Sequence, residues 1–261
     1  MKIAGLMVTR NYNPSFMTFQ VLRRMVDFTA VLDDGSTQPF PFQAECDEYI
    51  FLKRSGAWHD TGNRLMLLMR AYLHECPWAV VTGGDILPSV KFYHGVKSLS
   101  GVPSALYGGV YDGLHPDIVM VPLRELWGDI YHYRVDGLWG DKVVAGLTRC
   151  WTQTEAVRLP CPAVCLHGYA SAVDTPVRGC APDGFAAYHF GSITAEQRKA
   201  RVQKYAEEDP RNLHQADYTY LVDERGVKLA ETPPEDAAFL KRVLCGDIPA
   251  VCADTSNTDD Y

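Results

Sequence analysis

Short apolar runs recur along the first half of the chain, and each breaks off at polar or turn-forming residues. Ile3 to Val8 reads as a buried strand ending at Thr9-Arg10-Asn11, and Phe28 to Leu32, Glu48 to Leu52 and Trp78 to Val81 read as three more. Pro103 to Tyr107 and Ile118 to Val121 continue the series. Between them, Pro14 to Asp27 carries Phe16, Phe19, Val21, Leu22 and Met25 at spacings that suit an amphipathic helix. Asp60 stands where a helix N-cap would, ahead of Leu65, Leu67, Leu68, Ala71 and Tyr72. Pro88 is placed for the first turn of a further helix. Strands alternating with helices predict an α/β fold with a mostly parallel central sheet flanked by helices. Ligands of such sheets bind at the carboxyl ends of the strands.

Beyond Trp151 the pattern becomes irregular, with Pro160, Pro162, Pro176 and Pro182 marking loops. Helical signal returns twice. Thr194 and Gln197 form the sequence of a capping box for a helix running to about Ala206. Thr232 and Glu235 form another, with Pro233 at the first helical position, ahead of Ala237 to Leu244. The chain is therefore divided into a core at 1–150 and a helical, irregular C-terminal extension at 151–261. Asp254 to Tyr261 is polar and expected to be disordered.

Composition narrows the picture. The chain has 261 residues and a formal net charge of −7, which disfavours broad nucleic-acid binding through a basic face. Its densest basic cluster, Arg198, Lys199, Arg201 and Lys204, falls on one predicted helix and reads as a solvated face. No apolar run reaches about 18 residues, so no integral membrane segment is expected. Met1 to Val8 lacks the length and cleavage site of a signal peptide, so a cytoplasmic protein is expected. The eight cysteines are scattered. Cys161, Cys165, His167 and Cys180 do not have common zinc spacing, and reduced buried thiols are expected.

Two stretches carry candidate chemistry. Val31-Leu32-Asp33-Asp34-Gly35-Ser36-Thr37 runs a strand into adjacent carboxylates. Trp78-Ala79-Val80-Val81-Thr82-Gly83-Gly84-Asp85 delivers one carboxylate after two glycines, which let a backbone approach a ligand closely. Oxygen donors at such a turn suit Mg²⁺ or Mn²⁺ shared with a phosphate; Asp85 as a cap for the helix near Pro88 is the alternative. His115-Pro116-Asp117 and Trp58-His59-Asp60 lack a nucleophile elbow, so hydrolase chemistry ranks low. Gly-x-Gly-x-x-Gly and P-loop motifs are absent.

"MVTRN" at 7–11, "LDDGST" at 32–37, "GNRLMLLMRAY" at 62–72 and "WAVVTGGD" at 78–85 stand in an order and spacing that resembles family 2 glycosyltransferases, with a further echo in "AYHFGSIT" at 187–194. The resemblance implies a GT-A fold and an inverting glycosyltransferase that moves a sugar from a nucleotide diphosphate donor to a hydroxyl acceptor. Thr9 and Asn11 would lie at the nucleotide end. Asp34 would accept from a base N–H, and Asp33 would hold the turn beside it. Arg64 would approach the diphosphate, and Gly84 would let the backbone come close to it. Asp85 corresponds to the last carboxylate of the family's Asp-x-Asp motif and would hold Mn²⁺ or Mg²⁺. His189 would add a metal or diphosphate ligand, or serve as a core hydrogen-bonding residue. Gly83 departs from the family, since it replaces the first Asp of that motif.

Inversion requires a base near the acceptor hydroxyl. Asp141, after Trp139-Gly140, is the preferred candidate, with Asp112, Asp117 and Asp136 as alternatives. The acceptor could be a glycan, a protein or a modified base in phage DNA, and the C-terminal extension would complete its site. Two rivals stand beside this reading: a catalytically inactive nucleotide-sugar binding protein, and a nucleotidyltransferase.

Overall fold

The computed structural model describes residues 2–11, 15–53, 60–99, 118–140, 143–149, 178–181, 183–208 and 218–251. Its N-terminal half is a parallel sheet. β1 (Ile3–Thr9) lies between β2 (Phe28–Asp33) and β4 (Trp78–Gly83), and β3 (Glu48–Phe51) closes the edge beside β2. Every residue of β1 is buried, because the strand is covered on both faces. Strand alternation divides its side chains. Ala4, Leu6 and Val8 pack with Leu67, Leu68 and Ala71 of α2 (Asp60–Leu73). Ile3 and Met7 face the other layer, which includes Phe19 and Leu22 of α1 (Ser15–Met25) and Phe92 and Val96 of α3 (Val90–Leu99).

The remaining strands join the same sheet but are mixed in direction. β5 (Ile86–Pro88), β6 (Ile118–Leu126), β7 (His132–Arg134), β8 (Val143–Arg149), β9 (Arg178–Cys180), β10 (Ala187–His189) and β11 (Leu229–Glu231) complete it. β8 bridges the halves, antiparallel to both β4 and β6. β10 runs parallel to β6 and antiparallel to β5. Two helices follow β10: α4 (Ala195–Glu208) and α5 (Pro234–Leu244). The expected α/β architecture, a central sheet flanked by helices and parallel through its N-terminal half, is the one that forms.

Several local expectations are corrected. Pro88 ends β5 instead of opening a helix. Ser89 takes the cap of α3, its Oγ accepting the Phe92 N–H at 3.2 Å. The Thr194–Gln197 capping box forms in both directions, at 2.9 and 3.2 Å. The Thr232–Glu235 box does not: α5 begins at Pro234 without a side-chain cap, and the Thr232 hydroxyl is buried without a partner. β7, β9, β10 and β11 are three residues each, too short for an alternation signal to emerge. The proposed strand at 103–107 and the polar tail at 254–261 lie outside the described residues. Among the described residues no helix is long and apolar enough to cross a membrane.

Gly5 shows how tightly α1 sits on the sheet. A Cβ there would come 2.6 Å from Leu22 Cγ and 2.9 Å from Val26 Cγ2. Gly5→Val is expected to destabilise by about 1–3 kcal/mol through overpacking, measured as a lower urea midpoint with an unchanged slope.

Candidate functional site

The carboxyl ends of β1, β2 and β4 are flush. Thr9 pairs with Asp33 and Val8 with Gly83, so the first and second candidate stretches meet at one rim. The adjacent carboxylates do not face each other there. The Asp34 N–H donates to the Thr9 carbonyl at 2.9 Å, which carries the strand pattern one residue further and sends the two side chains to opposite faces.

Asp33 is engaged within the protein. One oxygen accepts the Ser36 N–H at 2.8 Å and the other the Tyr49 hydroxyl at 3.0 Å. Burial, together with this carboxylate, pushes the Tyr49 phenol up to about 12. Asn11, at φ 49°, staples the loops after β1 and β2. Its N–H donates to Ser36 Oγ at 2.9 Å, and its Oδ1 accepts from the Thr37 N–H at 2.7 Å. Thr9 is buried and Asp34 is 0% exposed. Arg64 is half-buried near the start of α2. Its neighbour Asn63, which composition and spacing gave no reason to single out, is fully buried with neither end of its amide hydrogen-bonded. It lies one turn before Leu67, at the strand-end limit of the face that α2 covers.

The second stretch is fastened from two sides. Thr18 Oγ1 donates to the Gly84 carbonyl at 3.0 Å, so that carbonyl is used in packing α1. The Asp85 carbonyl accepts the Phe190 N–H at 3.0 Å. The Asp85 side chain leaves α3 alone and meets His189 Nε2 at 2.7 Å, while His189 Nδ1 meets Glu125 Oε1 at 2.6 Å. Asp85, from the first half, and His189, from the last third, are thus in contact. Burial alone would push the Asp85 carboxyl up, but the His189 ion pair, with Arg201 and Lys204 beyond it, holds it well below the usual carboxylate range. Burial opposes charge on His189, yet Asp85 and Glu125 raise its pKa.

Part of the expected solvated basic face is buried. Arg198 is 4% exposed; its guanidinium stacks 4.0 Å from the Trp127 ring centroid and pairs with Glu224 at 2.6 Å. Arg201 donates to Ser192 Oγ at 2.6 Å, to the Tyr205 hydroxyl at 2.8 Å and to Glu125 at 3.3 Å. Lys199 and Lys204 are exposed. Among the base candidates, Asp136 is held by the Arg134 guanidinium at 2.9 Å and by the Lys228 N–H at 3.0 Å, and the Arg134 hydrogen bond lowers its pKa. Asp112, Asp117 and Asp141 lie outside the described residues.

A divalent ion would find a carboxylate and an imidazole side by side here, the donor types that Mn²⁺ accepts. The second ring nitrogen of His189 is already fixed by a carboxylate, as metal-bound histidines require. No group of three or more His, Cys, Asp or Glu side chains arranged to hold a metal occurs among the described residues. The pair fits an ion that takes its remaining ligands from substrate oxygens and water. At Gly83 a Cβ would come 3.2 Å from Asp85 Oδ1, so a second carboxylate at that position would crowd the first.

No protein-family model matches the chain, and no curated protein matches it. Among solved structures it is similar to residues 1–349 of S. aureus TarS, at 13% identity and a TM-score of 0.45 over 85% of this chain and 69% of that one. It is also similar to a mannose-1-phosphate geranyltransferase from Thermus thermophilus, at 14% identity and a TM-score of 0.33 over 85% of this chain and 67% of that one. A third likeness is to a 4-diphosphocytidyl-2C-methyl-D-erythritol synthase, at 12% identity and a TM-score of 0.34 over 93% and 98% of the two chains. At these identities and scores they assign no residue.

Tyr49→Phe isolates the role of Asp33. It removes a hydrogen bond to a buried carboxylate, an interaction worth about 1.5–3 kcal/mol, and is expected to lower the urea midpoint accordingly. Nucleotide affinity, measured by calorimetry on the folded variant, should not change.

Proposed function

We propose that the rim binds the nucleotide diphosphate of a sugar donor and that the protein is an inverting glycosyltransferase. The observation that carries the reading is the meeting, at the carboxyl-end rim of the sheet, of Thr9 at the end of β1, the buried Asp34 just after β2, and Asp85 in the turn after β4, paired with His189 at the end of β10. Asp34 would accept from a base N–H. Asn63 brings a buried amide whose donor and acceptor are both open, and such a group is satisfied at low cost by the polar edge of a base. Arg64, near the start of α2, is the type of side chain that pairs with phosphate. Asp85 and His189 would hold Mn²⁺ or Mg²⁺, which supplies positive charge against the leaving diphosphate. Asp34 and the Asp85–His189 pair would then fix the two ends of the donor, which orients its sugar for attack.

The acceptor is a hydroxyl on a glycan, a protein or a modified DNA base, and Asp141 is the proposed base. The engagement of Asp136 by Arg134 favours Asp141 over that neighbour, because a carboxylate holding a guanidinium is a weak proton acceptor. Donor binding without turnover would favour the inactive binding protein. Release of pyrophosphate from a nucleoside triphosphate would favour the nucleotidyltransferase.

Two experiments test the reading. A thermal-shift panel of UDP-, GDP-, CDP- and dTDP-sugars with Mn²⁺ should raise the melting temperature for one nucleotide; ligand at about 100 times its Kd stabilises by about 2.7 kcal/mol. Asp34→Asn should weaken that binding by about 1.5–3 kcal/mol in calorimetry, with the melting temperature of the free protein unchanged. No response to any nucleotide would sink the assignment. Asp141→Asn is expected to lower transfer by about 10²–10⁴-fold while donor affinity stays the same. Retained transfer, with loss in Asp112→Asn or Asp117→Asn instead, would move the base.

A further inference from the structure

The middle of the chain places a buried carboxylate behind His189, and no sequence motif marks it. Glu125 and His189 are register partners on β6 and β10. Ile86, the residue after Asp85, is the register partner of His189 on β5. Sheet hydrogen bonding therefore delivers Glu125 to one side of the imidazole, and the short turn between β4 and β5 delivers Asp85 to the other. Glu125 is 1% exposed. Arg201 Nη1 lies 3.3 Å from its Oε1 and 3.2 Å from His189 Nδ1, and is itself fixed by Ser192 and Tyr205.

Keeping a carboxylate and a guanidinium at this depth is expensive. A buried ion pair is often matched or bettered by apolar side chains of similar volume, so packing alone does not explain why the charge is there. What Glu125 does that an apolar residue cannot is hold a proton on His189 Nδ1. A neutral imidazole with its proton on Nδ1 carries its lone pair on Nε2, and Nε2 is the atom beside Asp85.

We infer that Glu125 is a positioning residue that fixes the His189 ring and its tautomer so that Nε2 and the Asp85 carboxylate together face a divalent cation. The inference rests on the proposed metal–diphosphate end of the site. Arg201 keeps Glu125 in place from the far side. It is a brace for the carboxylate and does not itself meet the substrate.

The test follows Mn²⁺ directly, alone and in the presence of UDP, and does not depend on turnover. Electron spin-echo modulation of Mn²⁺ bound to the wild-type protein is expected to show one coordinated imidazole nitrogen, lost in His189→Ala. Glu125→Gln keeps the shape of the side chain but not its charge. It is expected to weaken Mn²⁺ binding about 10–100-fold, the usual effect of losing such a partner, with UDP affinity in chelator unchanged. Arg201→Lys, which keeps the positive charge but not the fork, should give a smaller loss of Mn²⁺ affinity, and it decides the matter if Glu125→Gln does not fold. Equal Mn²⁺ affinity in a folded Glu125→Gln protein overturns the proposal, and so does the absence of nitrogen modulation in the wild type. If UDP, GDP, CDP and dTDP all fail to bind while Mn²⁺ alone still responds to Glu125→Gln, the nucleotide assignment falls and the role of Glu125 stands.

Discussion

The arrangement at the rim depends on the continuous hydrogen bonding of β1 to β2 on one side and β4 on the other. In parallel pairing the strands advance together, so three segments far apart in sequence end level with one another. The level ends turn Thr9, Asp34 and the Gly83-Gly84-Asp85 turn into neighbours. Burial on both faces is what keeps this register. A slip of one residue would exchange Leu6 and Val8 for Met7 and Thr9 on the α2 face, and both packed layers would lose their fit.

The first half of the sequence announces itself because its strands are long, apolar and separated by periodic helices. Its four strands, its first two helices and the two carboxylate turns are all readable from spacing. The second half is less so, and the reason is physical. Three-residue strands such as Ala187–His189 carry no periodicity of their own; their identity comes from β5 and β6 on either side. Glu125 falls within a longer strand whose apolar start is visible, but nothing in Leu123-Arg124-Glu125-Leu126 marks a carboxylate that will be buried. The helix with Arg198 and Arg201 misleads for a related reason. Its charged residues look like a solvated face until Trp127 and Glu125 supply partners from the sheet and its flanks. Long basic side chains bury their stems readily when a carboxylate or aromatic face receives the head.

The two carboxylates of Asp33-Asp34 show how a strand separates roles that sequence proximity confuses. Asp33 is consumed by a turn N–H and a tyrosine hydroxyl on one face. Asp34 follows on the other. Asp85 is a third case: it is half-buried, and its charge partners outweigh its desolvation and hold its pKa down. Identical side chains thus serve as turn brace, candidate base reader and candidate cation ligand, according to the face and the neighbours they are given.

One contact has consequences for the order in which the site comes into being. Asp236, on α5, accepts the Val90 N–H at 2.8 Å and the Tyr188 hydroxyl at 2.6 Å. It therefore ties the start of α3 to the strand that carries His189. The parallel strands need only the first third of the chain, whereas the Asp85–His189 contact bridges 104 residues and this clasp 146. During synthesis, at about 5–20 residues per second, the edge bearing Thr9 and Asp34 emerges several seconds ahead of His189 and the clasp. The growing protein has one end of its site long before the other, and a helix made well after the parallel strands is the one that closes it.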